Sequence, residues 1–259
     1  MLTSYPQEHG PRTGETIVFL HGANMGGWTW LPQIELLSER HLLTPDLPGY
    51  ASRAGERWPG LAGAADDIAD RIRRDAVAGR AHVVGLSLGG FVAVHLLHRH
   101  PELVRSATVT GVALAGYSRA ERVLIRPQVP LWQRRWYWWL QALPFGIPPD
   151  SREVFVDSAT AASAQTNRAM FAEVAASGMP VGPFAYAGPV LAVSGQRESA
   201  SIRRGFEPLQ ERLPQLQTWM APGMHHPWSA EDPALFSAMV VSMADTGCWP
   251  DADARGRTV

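Results

Sequence analysis

The sequence has almost no cysteine. Cys248 is the only one in 259 residues, which excludes an internal disulfide framework and a cysteine-rich metal site. It also lacks an excess of either charge. Lys and Arg total 23 against 24 for Asp and Glu, and no basic stripe stands out, so nucleic acid is not expected as a partner. No apolar run is long enough to span a bilayer. The opening residues, Met1-Leu2-Thr3-Ser4-Tyr5-Pro6, show no basic segment followed by an apolar stretch; no signal peptide is expected, and the default location is the cytoplasm. Neither H-E-x-x-H nor C-x-x-C occurs, so no metal or cofactor is expected. What the chain does have is an ordinary globular composition, 46% hydrophobic and 18% charged. It also has ten tryptophans, four of them between Trp132 and Trp139.

The most informative stretch is Val83-Val84-Gly85-Leu86-Ser87-Leu88-Gly89-Gly90. A β-branched run ends at a glycine, a serine stands between two glycines, and an apolar helix pattern starts at once. This is G-x-S-x-G set between strand and helix. Such a turn is too tight for side chains at Gly85 and Gly89, and it holds the serine hydroxyl on a strained corner at the sheet edge. Without that setting the same pattern is only a Gly/Ser connection.

Around this motif the chain alternates. Thr16–Leu20, Leu42–Thr44, Ala81–Leu86, Ser106–Val112, Pro189–Ser194 and Leu216–Met220 read as strands. Residues 30–40, 61–75, 88–100, 201–213 and 233–245 read as helices, the last beginning at Pro233. Residues 1–15 hold one short edge strand at most. This rhythm predicts an α/β fold, a mostly parallel sheet with helices on both faces. It breaks between residues 117 and 187, which show helical stretches and no convincing strand. Residues 246–259 are polar and turn-rich and are expected to be a disordered tail.

The expected domains are therefore a core, 1–116 with 188–245, and a helical insertion, 117–187. Trp132, Trp136 and Trp139 recur at one helical face, while Tyr137 and Trp138 point elsewhere. A helix aromatic on several faces has more than one side to bury. A lid over an apolar pocket satisfies that, though indoles that simply pack the insertion onto the core read the same way.

A serine hydroxyl needs a base, and the base needs an orienting acid. His225 and His226 lie in a loop after the strand that ends near Met220. Glu198 lies just past the strand that ends at Ser194. In a parallel sheet, strand ends of one polarity gather on one edge, so Ser87, Glu198 and one of the two histidines can meet. The tetrahedral intermediate needs backbone donors. The amide of Leu88 follows the serine, and the loop after the first strand offers that of Ala23. The other histidines have structural readings; His21, before Gly22, braces its loop.

With these residues in place the chain resembles the α/β-hydrolase-fold enzymes, in particular the esterase-like group with a helical cap. The resemblance rests on Phe19-Leu20-His21-Gly22, Pro45-Asp46-Leu47-Pro48-Gly49, Gly85-Leu86-Ser87-Leu88-Gly89-Gly90, Val193-Ser194-Gly195-Gln196-Arg197-Glu198 and the histidine loop. It implies that His226 is the base, because Glu231 and Pro233 follow it at the family's spacing. His225 then stands where the family usually has glycine, and Glu198 where it usually has aspartate. Asp46 takes the role of closing a strand-end turn, and Asp157 is a weaker alternative acid. The cap would cover Ser87 and supply the pocket.

The expected function is hydrolysis of an ester or related acyl bond through a Ser87-His226-Glu198 triad and an acyl-enzyme. The expected substrate is a small apolar or aromatic molecule, with Trp28, Trp132, Trp136, Trp139 and Trp228 lining its pocket. Two alternatives share the fold: a small-molecule binding protein with an idle triad, and a non-hydrolytic cyclase or lyase. The sequence leaves the oligomeric state open.

Overall fold

The computed structural model describes residues 5–143, 147, 149 and 152–254. Eight strands form one sheet: β1 (Glu8–His9), β2 (Thr16–Leu20), β3 (His41–Leu43), β4 (Ala81–Leu86), β5 (Val104–Thr110), β6 (Val190–Gly195), β7 (Leu216–Ala221) and β8 (Asp253–Ala254). Their order is β1-β3-β2-β4-β5-β6-β7-β8. The pairs β1–β3 and β7–β8 are antiparallel, and every other pair is parallel. The order reverses direction beside β2, which puts a crevice over the carboxyl ends of the central strands.

The strands are apolar on both faces because both faces are covered. Val18 and Leu20 of β2 pack on one side with α2 (Gly60–Asp75) and α3 (Leu88–Arg99), after α1 (Leu31–Leu36) in the chain. Ile17 and Phe19 pack on the other side with Trp30, Phe236 and Met239. The period-2 alternation of a strand thus divides one apolar run between two cores. Between β5 and β6 come α4 (Arg119–Ile125), α5 (Arg135–Gln141), α6 (Arg152–Ala161) and α7 (Ala164–Ala176). After β6 come α8 (Ala200–Arg204) and α9 (Phe206–Arg212), and after β7 come α10 (Trp228–Glu231) and α11 (Pro233–Thr246).

Two expectations need correction. The single helix over 201–213 is two helices meeting at Gly205, where a Cβ would lie 2.7 Å from the Leu114 amide nitrogen and 2.8 Å from the Val112 carbonyl. More consequentially, the supposed tail is folded through residue 254. Gly247 ends α11 in a left-handed turn, with φ of 69°. Trp249 then packs on Trp219, ring centroids 5.3 Å apart, and β8 pairs with β7. Polar composition hid this, because a single large ring and two ladder residues tie the segment down.

Trp249→Ala should therefore lower unfolding free energy by about 3–5 kcal/mol, the range for truncating a buried aromatic. Urea denaturation checks it; an unchanged midpoint would show that the segment contributes nothing.

Candidate active site

The serine turn is built by backbone contacts. A Cβ at Gly85 would sit 2.4 Å from the Gly89 carbonyl oxygen, and one at Gly89 would sit 2.1 Å from that of Leu20. Only hydrogen fits at either position. The Gly89 amide donates to the His21 carbonyl at 3.0 Å and the Ser87 amide to the Thr110 carbonyl at 2.8 Å, so the ends of β2 and β5 pin the corner from both sides. Ser87 itself has φ of 54° and ψ of −117°, a region that a side chain normally avoids. The surrounding contacts hold it there and leave the residue half-buried at the head of α3.

Glu198 sits just past β6, buried to 9% exposure. Its Oε2 accepts from the Gly195 amide at 2.6 Å, closing its own turn, and its Oε1 lies 2.5 Å from His226 Nδ1. One carboxylate thus anchors the loop and orients the imidazole. An acceptor at Nδ1 places the ring proton there and leaves Nε2 as the basic nitrogen. His225 goes elsewhere, being exposed with its Nδ1 3.1 Å from Glu231 Oε2. Asp46 is committed to turns: it accepts from the Gly27 amide at 2.8 Å and from the Ser52 amide at 3.1 Å. Asp157 is paired with Arg135, remote from the imidazole.

Ser87 and His226 line one cavity of about 850 Å³, together with Ala23, Leu88, Trp28 and Trp132. Among the described residues no hydrogen bond joins the Ser87 hydroxyl to the imidazole, a looseness common in empty serine sites. The Leu88 amide is the first of α3 and has no acceptor within its helix. Trp28 also ties the loop after β2 to the inserted helices, its Nε1 donating to Ser158 Oγ at 3.0 Å. Helices α4 to α7 contribute Ile125, Tyr137, Trp138, Met170 and Phe171 to the same wall.

Three expected pocket residues are not there. Trp136 and Trp139 are 55% and 39% exposed on the outside of α5, while Tyr137 and Trp138 take the inner positions. Trp228 follows the histidine loop but turns into the core, fully buried, with its Nε1 donating to Thr110 Oγ1 at 2.8 Å. Sequence reasoning also missed Gly111. A Cβ there would lie 2.6 Å from His226 Cε1, and φ is +69°. Its place directly after a strand of the site edge was the available signal.

His21 is fully buried and neutral. The Leu47 amide donates to its Nε2 at 2.9 Å, so Nδ1 carries the proton and donates to the Gly22 carbonyl at 2.8 Å. Desolvation pushes its pKa below the ordinary 6.5, as it does for His82 and His95. Protonation would turn a second N–H against the Leu47 amide.

The family model described as alpha/beta hydrolase fold matches residues 15–240. An "AB hydrolase superfamily protein" of Gibberella zeae is 28% identical over 96% of this chain and 86% of its own length. A pimeloyl-[acyl-carrier protein] methyl ester esterase of Aeromonas hydrophila is 33% identical over a region covering 45% of each protein, so the chain spans less than half of that relative. The structure of a thermophilic esterase from Thermogutta terrifontis superposes with a TM-score of 0.69 at 19% identity, covering 93% of this chain and 92% of that one.

These neutral histidines, His21 and His82 buried and His95 half-buried, set an acid limit. Each has a folded pKa below its unfolded one, so its contribution is complete above the unfolded value of about 6.5 and is lost progressively as pH falls from there through the lowered folded value. Urea unfolding at pH 7.5 and 5.5 should show lower stability at the lower pH; equal stability would contradict this reading.

The geometry of the serine turn, the parallel sheet that carries it and the match over most of the sequence agree, and the chain belongs to the alpha/beta hydrolase fold family.

Proposed function

We propose that the protein is a serine hydrolase that cleaves an ester, or a related acyl bond, of a small apolar substrate. The observation that carries this reading is the 2.5 Å contact between Glu198 Oε1 and His226 Nδ1, at a cavity that Ser87 shares. Relatives named as methyl ester esterases support an ester over other acyl bonds.

In this mechanism Ser87 Oγ attacks the substrate carbonyl while His226 Nε2 takes its proton. Glu198 stabilises the imidazolium and keeps it oriented. The amides of Ala23 and Leu88 receive the oxyanion. His226 then returns the proton to the leaving alcohol, and the acyl group stays on Ser87. Water, deprotonated by the same nitrogen, releases the acid and restores the serine. The inserted segment, 117–187, acts as a cap over this site. Its inner aromatic side chains, with Trp28 and Trp132, select an apolar acyl or alcohol group and keep water away from the intermediate.

Turnover of a chromogenic acyl ester tests the assignment. Ser87→Ala should lose about three orders of magnitude or more in kcat. Glu198→Gln should cost far more than Asp46→Asn when both are folded; the reverse order would move the acid to Asp46. Retention of activity by Ser87→Ala on the true substrate would instead favour a non-hydrolytic lyase or cyclase.

Gly111 provides an independent check. Gly111→Ala should lower kcat/KM at least about tenfold by crowding the imidazole, with a smaller effect on KM alone. Wild-type kinetics in that variant would place the working histidine elsewhere.

A further inference from the structure

Helix α5 is apolar on both sides. Tyr137 and Trp138 face the cavity. Trp136, Trp139 and Leu140, at i, i+3 and i+4, lie exposed on the opposite side, followed by Leu143 in the turn just past the helix, with Leu140 and Leu143 64% and 69% exposed. Water-facing helix positions are normally polar, and this stripe is apolar where it meets solvent.

Helix α4 supplies a second outer face. Ile125 turns toward the same cavity, and Arg119, Arg122, Val123 and Arg126 share the opposite side, all exposed. Gln128 links the two helices: its Nε2 donates to the Leu124 carbonyl at 3.0 Å and its Oε1 accepts from the Tyr137 hydroxyl at 2.9 Å. Both helices line one cavity, and these exposed residues lie on the sides turned away from it.

That surface is cationic in a chain that is not. Residues 117–143 hold Arg119, Arg122, Arg126, Arg134 and Arg135 against the single carboxylate of Glu121, while the whole chain has a formal net charge of −1. Arg135 is neutralised by Glu153 and Asp157. Among the described residues the other four make no ion pair with a carboxylate. Indoles and leucines between permanently charged guanidinium groups are the chemistry of a helix lying at an anionic lipid surface. A second copy of this chain fits worse, because a two-fold axis through the stripe would bring like-charged arginine rows together.

We propose that the outer face of α4 and α5 docks the protein on an anionic lipid bilayer, with Trp136, Trp139, Leu140 and Leu143 entering the interface and Arg119, Arg122 and Arg126 meeting lipid phosphates. Docked in this way, the cap that roofs Ser87 faces the phase into which an apolar acyl substrate partitions. That last consequence rests on the hydrolase reading above; the docking itself does not.

Vesicle sedimentation with the full chain tests the proposal. The wild-type protein should partition onto vesicles of phosphatidylcholine with about 30% phosphatidylglycerol, with a blue shift in tryptophan emission, and should be released by about 0.5 M salt. Trp136→Ser combined with Leu140→Ser should weaken partitioning about tenfold, and Arg122→Glu combined with Arg126→Glu by a similar factor. All four positions are exposed, so melting temperatures should stay at the wild-type value and report any misfolding. Ser87→Ala should bind vesicles as the wild type does, which separates this test from the enzymatic one. Failure of the wild type to bind anionic vesicles, or equal binding by the substituted proteins, overturns the proposal. So does a dimer that the stripe substitutions dissociate, in place of vesicle binding, since it would assign the surface to a second copy.

Discussion

No side chain fits at position 85 or 89, and that constraint organises the site. With hydrogen alone at Gly89, α3 starts directly against the Leu20 carbonyl, and β4 can turn into it without a loop. The serine between them is forced to positive φ and held there by the ends of β2 and β5. A longer connection would relieve the strain and let the hydroxyl wander. Its rigidity is what lets a serine after β4, a carboxylate from the turn after β6 and an imidazole from the loop after β7 share one edge. The parallel register does the rest, because it aligns the carboxyl ends of those strands without any direct link between them.

The same edge shows how second contacts fix the first ones. Glu198 closes the turn in which it sits before it meets His226, so the carboxylate is placed by its own loop. Asp46 secures the loop after β2 through the Gly27 amide, and buried neutral His21 joins that loop to the Leu47 amide. Gly111 leaves just enough room for the imidazole. These groups carry no chemistry in the proposed reaction, yet each limits where Ala23, Ser87 or His226 can be.

The serine turn and the order of elements were legible in the sequence because both depend on local rules. Thr16–Leu20 can only be buried on two faces, and a serine between Gly85 and Gly89 after a β-branched run needs one kind of corner. The meeting of Glu198 with a histidine of the loop after β7 was legible from their places at strand ends, although choosing His226 over His225 needed the family's spacing. What was hidden depends on tertiary choice. In Arg135–Gln141 nearly every side chain is apolar, so periodicity defined the faces and not which one turned inward; Trp138 took the inside and Trp136 the outside. Trp228 stood beside the histidine in sequence, and its indole found Thr110 in the core. Trp249 anchored a segment whose composition read as tail.

The central claim is that Ser87 is a hydroxyl made nucleophilic by its place beside His226. Intact-protein mass after exposure to a fluorophosphonate measures this without any assumption about substrate. One phosphonyl adduct on the wild-type chain and none on folded Ser87→Ala is the predicted result. An adduct that survives the substitution, or a wild-type chain that takes none, would contradict the account.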